Sequence, residues 1–284
     1  MSSHHLAILG GGNMGRALIG GLLRRGSRPE QISVGESLEA ARSTLARDLG
    51  VSATPDNARA IKDAAIVVLA VKPQDARAVL TPLAPLLHQN RPLIVSVAAG
   101  IRVAALEEWC GAGVPVVRAM PNRPALVGAG ATGLFAPSHV TGTQRSAAEH
   151  VMQAAGEVVW VPSEEALDVV TALSGSGPAY LFLVTELMAR AATDLGLDAA
   201  AAQRLAVATL YGSGLLARGS DGDLARLRAE VTSKGGTTEA ALRALEAADL
   251  RGTVAAAVAA AARRSRELAA QFGASADHTI MGSS

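Results

Sequence analysis

Gly10, Gly12 and Gly15 stand in the G-x-G-x-x-G spacing, after an apolar run ending at Leu9 and before a segment whose Ala17, Leu18 and Leu22 share one helical face. In that spacing the first glycine makes a tight turn, the second lets backbone approach a pyrophosphate, and the third lets the helix pack on the strand. The amides that open this helix, at Asn13 and Met14, lie at its positive dipole end and suit a phosphate. A second strand-like run, Gln31 to Gly35, delivers Glu36 about 20 residues after Gly15, where a carboxylate accepts from ribose hydroxyls. The stretch is read as a dinucleotide site. A ligand-free glycine turn is the alternative.

Other small or polar residues fall at the ends of later apolar runs, namely Ala70-Val71-Lys72-Pro73, Ala98-Ala99-Gly100 and Met120-Pro121-Asn122. Ligands in open α/β sheets bind outside the carboxyl ends of strands, and small residues there let a flat ring or ribose reach the backbone. Lys72 reads equally as a surface lysine and Asn57 equally as a helix cap or a ribose contact. Two further glycine stretches open helices, Ala172 to Tyr180 with Pro178 in the first turn, and Val231 to Leu242. Both offer free amides and hydroxyls to a carboxylate, or are plain caps.

The elements that must position these residues follow from hydrophobic patterning. Strands are expected at 5–9, 31–35, 51–53, 65–71, 92–97, 114–120, 131–136 and 157–161, with helices between them, including one from about 75 to 87. This alternation makes an α/β fold, an N-terminal Rossmann-type doubly wound sheet over 1–162. Residues 163–284 read as helices only, at about 164–173, 178–195, 198–217, 221–231 and 238–272, forming a C-terminal all-helical dimerisation and substrate domain. Helices this rich in alanine approach closely and favour assembly with a second copy.

A chain of 284 residues reaches the size of about 250–300 residues at which single cores stop growing, so two domains are expected. Apolar residues at 49% and charged residues at 18% exclude a disordered chain, and aromatics at 2% leave Ala, Val and Leu to build the core. A net charge of +1 gives no electrostatic case for nucleic acid or an anionic membrane. The run Val254–Ala262 is far short of the ~20 apolar residues a span needs. Cys110 is the single cysteine, no Cys/His cluster has metal-ligand spacing, and Met1 to His5 is unlike a targeting signal, so a soluble cytoplasmic protein without metal is expected. The histidines at 4, 5, 88, 139, 150 and 278 fall outside every motif.

From about Leu6 to Gly273 the chain resembles the pyrroline-5-carboxylate reductases, which make proline. The resemblance rests on Gly10–Gly15 with Asn13-Met14, Ala70–Pro73, Ser96–Gly100, Arg118 through Met120-Pro121-Asn122 to Leu126, and most specifically on Ser174–Tyr180 and Val231–Leu242. It implies NADPH or NADH as cofactor, a small imine substrate, and an intertwined homodimer, often five dimers together. It further implies that the substrate sits at the dimer interface near Glu164, Met120 and Asn122. Its carboxylate would lie in the loop Ser233, Gly235, Gly236, Thr237 and Thr238, on the amides of Gly236, Thr237 and Thr238, with the Thr238 hydroxyl as the catalytic group facing the ring nitrogen. Arg123, Arg190 and Lys234 depart from the family pattern, and Lys234 removes the rigidity of a proline. A β-hydroxyacid dehydrogenase needs a catalytic lysine in the helical half, where only Lys234 is present. A non-catalytic dinucleotide sensor would have no use for the glycine–threonine loop.

Overall fold

The computed structural model describes residues 5–274; His4 and His278 lie outside them. In chain order the strands are β1 (Leu6–Leu9), β2 (Ile32–Gly35), β3 (Ser52–Thr54), β4 (Ile66–Leu69), β5 (Leu93–Ser96), β6 (Val116–Met120), β7 (Gly130–Phe135) and β8 (Gly156–Trp160). They form one sheet in the order β3-β2-β1-β4-β5-β6-β7-β8. The first six are parallel, as the doubly wound reading expects; β7 runs antiparallel to β6, and β8 parallel to β7. The order turns back between β1 and β4, so the carboxyl ends of these strands, with Leu9 opposite Gly35 and Leu69, frame the crevice where such sheets bind ligands.

Alternation along the buried strands feeds two cores. Ile8, Val34, Val68, Val95 and Val117 face α1 (Asn13–Arg24) and, further along, α7 (Gly142–Gln153), whereas Ala7, Leu9, Val67, Leu69, Ile94 and Val116 face the other layer. That other layer contains α3 (Asn57–Ile61), α4 (Ala76–Leu80), α5 (Ala84–Asn90) and α6 (Val103–Cys110), while α2 (Glu39–Leu49) packs Leu45 into the first core. Each fully buried Leu or Ile contributes about 1.5–3 kcal/mol. Cys110 is buried, and burial, with Glu107 adding to it, pushes its thiol up to about 12.

Several elements differ from the sequence expectation. The single helix expected over 75–87 is broken into α4 and α5 by a tight turn at Thr81–Leu83, because Pro82 and Pro85 lack an N–H to donate. Asn57 does not cap its helix; Asp56 does, accepting from Ala58 and Arg59. Past β8, α8 (Ala166–Val170) widens into a π-type turn, Thr171–Gly175, before α9 (Gly177–Asp194), where a polar glycine turn was expected. Thr171 and Ser174 donate to the carbonyls of Leu167 and Val170, so these hydroxyls continue the helical run instead of capping a new one. Then come α10 (Ala199–Arg218), α11 (Leu224–Glu230), α12 (Thr237–Ala247) and α13 (Leu250–Ala274). The one helix expected from 238 to 272 is split because Asp249 adopts φ 51° and turns its carboxylate onto the Gly252 amide.

The chain divides into two compact units, one running to Gly175 and taking in α13 from Ala261 onward, the other spanning Ser176–Ala260. In the second, α9 and α10 pack through Ala189, Ala202 and Ala206, small side chains that let the axes close. Their outer faces are apolar and exposed, including Phe182 at 59%, Leu187 at 53% and Tyr211 at 70%. By length and composition alone the run Ala166–Asp194, which holds an 18-residue window of mean hydropathy 1.4, is sufficient to cross a membrane, which the sequence reading overlooked. It carries the buried Asp168 carboxylate, paired with the partly exposed Arg102, and many of its large apolar side chains are exposed.

Candidate functional site

Backbone approach fixes the glycines of the first loop. Gly10 adopts φ 104°, and a Cβ on it would stand 2.6 Å from the Ala70 carbonyl oxygen at the end of β4; a Cβ on Gly15 would overlap the Gly10 carbonyl. Gly12 and Asn13 are exposed, and no side chain caps α1 at Gly12, so the first amides of the helix, which by geometry have no intrahelical acceptor, face outward. A pyrophosphate fits such an opening.

Glu36 is anchored on both oxygens. Oε2 accepts from the Gly11 amide at 2.8 Å and Oε1 from the Leu38 amide at 2.9 Å. A cleft at this point is lined by Gly10, Gly35, Glu36, Ser37, Asn57 and Val71, with the Asn57 side chain directly over Gly35. Arg42 donates to the carbonyls of Glu36 and Ser37, so its guanidinium is held by the loop that carries the carboxylate. The structure thus brings together Gly10, Glu36, Asn57 and Val71 from the sequence-predicted set. Ala70 touches the same loop, Lys72 is exposed beside Pro73, and Ala98 (buried), Ala99 (exposed) and Gly100 (φ 80°) follow β5.

Farther along the sheet, two residues read as substrate contacts already hold protein partners. Asn122 accepts from the Ala131 amide at 2.8 Å and donates to the Ser174 carbonyl at 3.0 Å, which ties the end of β6 to β7 and to the π-type turn; Met120, half-buried, lies over Gly175. Glu164 accepts through Oε1 from both the Val103 amide and Arg118, each at 2.7 Å. Burial draws the Arg118 guanidinium below its ordinary value, and the bond to Glu164 opposes that shift. Beside them Arg102 pairs with Asp168 at 2.7 Å, and Ser265 donates to the other Asp168 oxygen at 2.7 Å. Sequence reasoning gave Arg102 and Asp168 no role. An arginine inside the apolar run Val116-Val117-Arg118-Ala119 was the signal that a buried acid had to exist.

In the second unit the loop before α12 is open. Gly235 has φ 74° with no atom near a would-be Cβ, and its amide donates to Glu239, whose carboxylate also takes Arg243. The Gly236 amide donates to the Ser233 carbonyl at 3.0 Å, so of the three amides expected to hold a carboxylate only those of Thr237 and Thr238 are first-turn amides of the helix. Ser233, Lys234 and Thr237 are exposed and Thr238 is half-buried. No side chain caps α12, whereas Asp198 and Asp223 cap α10 and α11. Among the described residues no group of three or more His, Cys, Asp or Glu is placed to hold a metal.

Comparison with known proteins supplies the family. Residues 164–268 match the model for pyrroline-5-carboxylate reductase dimerisation, and residues 5–100 that for NADP oxidoreductase, coenzyme F420-dependent. A pyrroline-5-carboxylate reductase of Pseudomonas aeruginosa is 44% identical over 273 residues, 96% of this chain and 100% of the relative. That of Mycobacterium tuberculosis is 43% identical, over 93% of this chain and 96% of the relative. Among solved structures, a pyrroline-5-carboxylate reductase from Coxiella burnetii superposes with a TM-score of 0.91 at 40% identity, covering 94% of this chain and 99% of the other. The Plasmodium falciparum pyrroline carboxylate reductase with NADP bound gives 0.79 at 28% identity, covering 95% and 99%. A sheet whose first strand runs into the Gly10–Gly15 turn, a later segment that matches the dimerisation model, and relatives matched along nearly its whole length place this chain in the pyrroline-5-carboxylate reductase family.

Proposed function

We propose that this chain reduces the C=N bond of 1-pyrroline-5-carboxylate to give L-proline, with the reaction divided between its two glycine loops. When bound, the reduced nicotinamide of NADH or NADPH supplies the hydride to the imine carbon. The loop Gly10–Gly15 and the opening amides of α1 hold the pyrophosphate, Glu36 and Asn57 the adenosine ribose, and Ala70–Pro73 with Ala98–Gly100 leave room for the rest. The substrate carboxylate rests on the amides of Thr237 and Thr238, assisted by the hydroxyl of Ser233 and the turn at Gly235-Gly236. The Thr238 hydroxyl faces the ring nitrogen and assists its protonation. Glu164 and Asn122 act by holding the strand ends and the π-type turn, through the bonds described above, while Met120 lines the substrate side. The protein's main work is then to position two reactants.

The observation that carries this reading is the uncapped start of α12, two threonines deep in hydroxyls and amides, on a chain of this family. The exposed apolar face of α9 and α10 supports a homodimer, and five such dimers form the larger assembly; a net charge of +1 supports neither nucleic acid nor a membrane surface as partner, and the setting is the cytoplasm. The test is oxidation of the reduced dinucleotide with and without the imine, with proline identified as product. Oxidation that is independent of imine, or a product other than proline, overturns it.

A further inference from the structure

The acid–base pairs beside Glu164 form a chain of which the reaction as proposed uses only Glu164, leaving Arg102, Asp168 and Ser265 without a role. Glu164 and Asp168 are one helical turn apart. Glu164 takes Arg118 of β6 and the Val103 amide; Asp168, with its side chain only 3% exposed, takes Arg102 on one oxygen and Ser265 of α13 on the other. Arg102 is the residue on which α6 begins, immediately after Gly100 and Ile101, and it also donates to the Glu164 carbonyl at 3.3 Å. The exit of the Ala98–Gly100 loop is thereby stapled twice to one acidic face, by the Arg102 guanidinium and by the Val103 amide. That face belongs to the segment that leads through the π-type turn into Ser174–Tyr180, and widened turns of this kind recur at functional sites.

We propose that Asp168 is a positioning residue for the reduction, holding the Ala98–Gly100 loop in register with the Thr171–Gly175 turn through Arg102, with Ser265 fixing the carboxylate's own orientation. The inference rests on the functional reading above. Arg102 keeps about a quarter of its side chain in solvent, at 27%, so losing its partner leaves a charge that water can reach and a fold that survives. What is lost is the placement of a loop on which a flat ring would lie, and an error of about 1 Å there costs up to roughly 100-fold in rate.

The test compares Asp168→Asn, Arg102→Gln and Ser265→Ala in the full-length chain, with two readouts. Hydrogen exchange without any dinucleotide reads peptides spanning 97–106; the tie predicts roughly 10-fold faster exchange there in D168N and R102Q, with peptides of β1 and α1 unchanged. Steady-state kinetics reads a fall in kcat of roughly 10–100-fold for D168N, a smaller fall for S265A, and a KM for the reduced dinucleotide that moves less than about threefold. The double variant R102Q/D168N falls no further than D168N, since both remove one interaction. Unchanged exchange over 97–106 overturns the proposal, as does faster exchange with kcat preserved. Should the wild-type chain reduce no imine, the functional reading fails by itself, and the exchange readout still decides whether Asp168 holds the loop.

Discussion

The two glycine loops resemble each other in sequence and differ in how the fold secures them. At Gly10 and Gly15 an added Cβ meets backbone, and the neighbouring acid is held by two amides; at Gly235 an added Cβ meets nothing, and α12 buries none of its residues. The first loop is completed by the unit it belongs to. The second presents its hydroxyls and amides on an open surface, in a unit whose large apolar side chains are exposed. A site can be rigid because its own chain crowds it, or it can wait for a second copy.

Breaking the first loop should have the largest effect. Gly15→Ala places a Cβ on the Gly10 carbonyl, where neither backbone segment can yield, at a cost of about 4 kcal/mol. Affinity for the reduced dinucleotide, read by fluorescence titration, should fall roughly 10³-fold; near-normal binding would show that the loop is not crowded as described. Next in size is Thr238→Ala, which should lower turnover by roughly 10–10³-fold with dinucleotide affinity almost unchanged. Unaltered turnover would assign the proton to solvent.

Glu36→Ser is smaller and concerns selection. A fixed carboxylate meets the 2′-phosphate of NADPH with like charge, worth on the order of 1 kcal/mol in an exposed cleft, while Arg42 stands near enough to offset part of it. The ratio of kcat/KM for NADPH over NADH should rise by roughly tenfold or less. No change would mean that Glu36 does not reach the ribose. The smallest effect belongs to Gly235→Ala: the positive φ costs about 1–2 kcal/mol, no atom stands in the way, and Tm should drop by only a few degrees. A collapse as severe as that of Gly15→Ala would erase the distinction between the loops.

Legibility in the sequence followed the same division. The Gly10–Gly15 turn, the place of Glu36 after the second strand and the positions of the strands could be read because each depends on local spacing: apolar runs, a turn and an acid at a fixed distance. The π-type turn at Thr171–Gly175 was read as a loop because serine, glycine and proline usually mark one, and the hydroxyl-to-carbonyl bonds that keep it helical leave no pattern. Asp249 ends a helix without a glycine, so nothing announced the break between α12 and α13. Asn122 and Glu164 were singled out, but their protein partners at Ala131, Ser174, Val103 and Arg118 could not be read from the sequence, since they are set by how distant segments pack. Asp168 meets Ser265 across nearly a hundred residues of chain, beyond any local signal.

The central claim, that one loop is complete within a copy and the other works only in an assembly, is tested most directly by making the chain monomeric. Leu187→Asp places a charge on the exposed apolar face of α9 and, if that face joins two copies, yields a monomer by solution scattering. The account predicts that this monomer binds reduced dinucleotide within about threefold of the parent while its imine reduction falls by roughly 100-fold or more. A monomer that reduces imine at the parental rate, or one that loses dinucleotide binding together with activity, would contradict it.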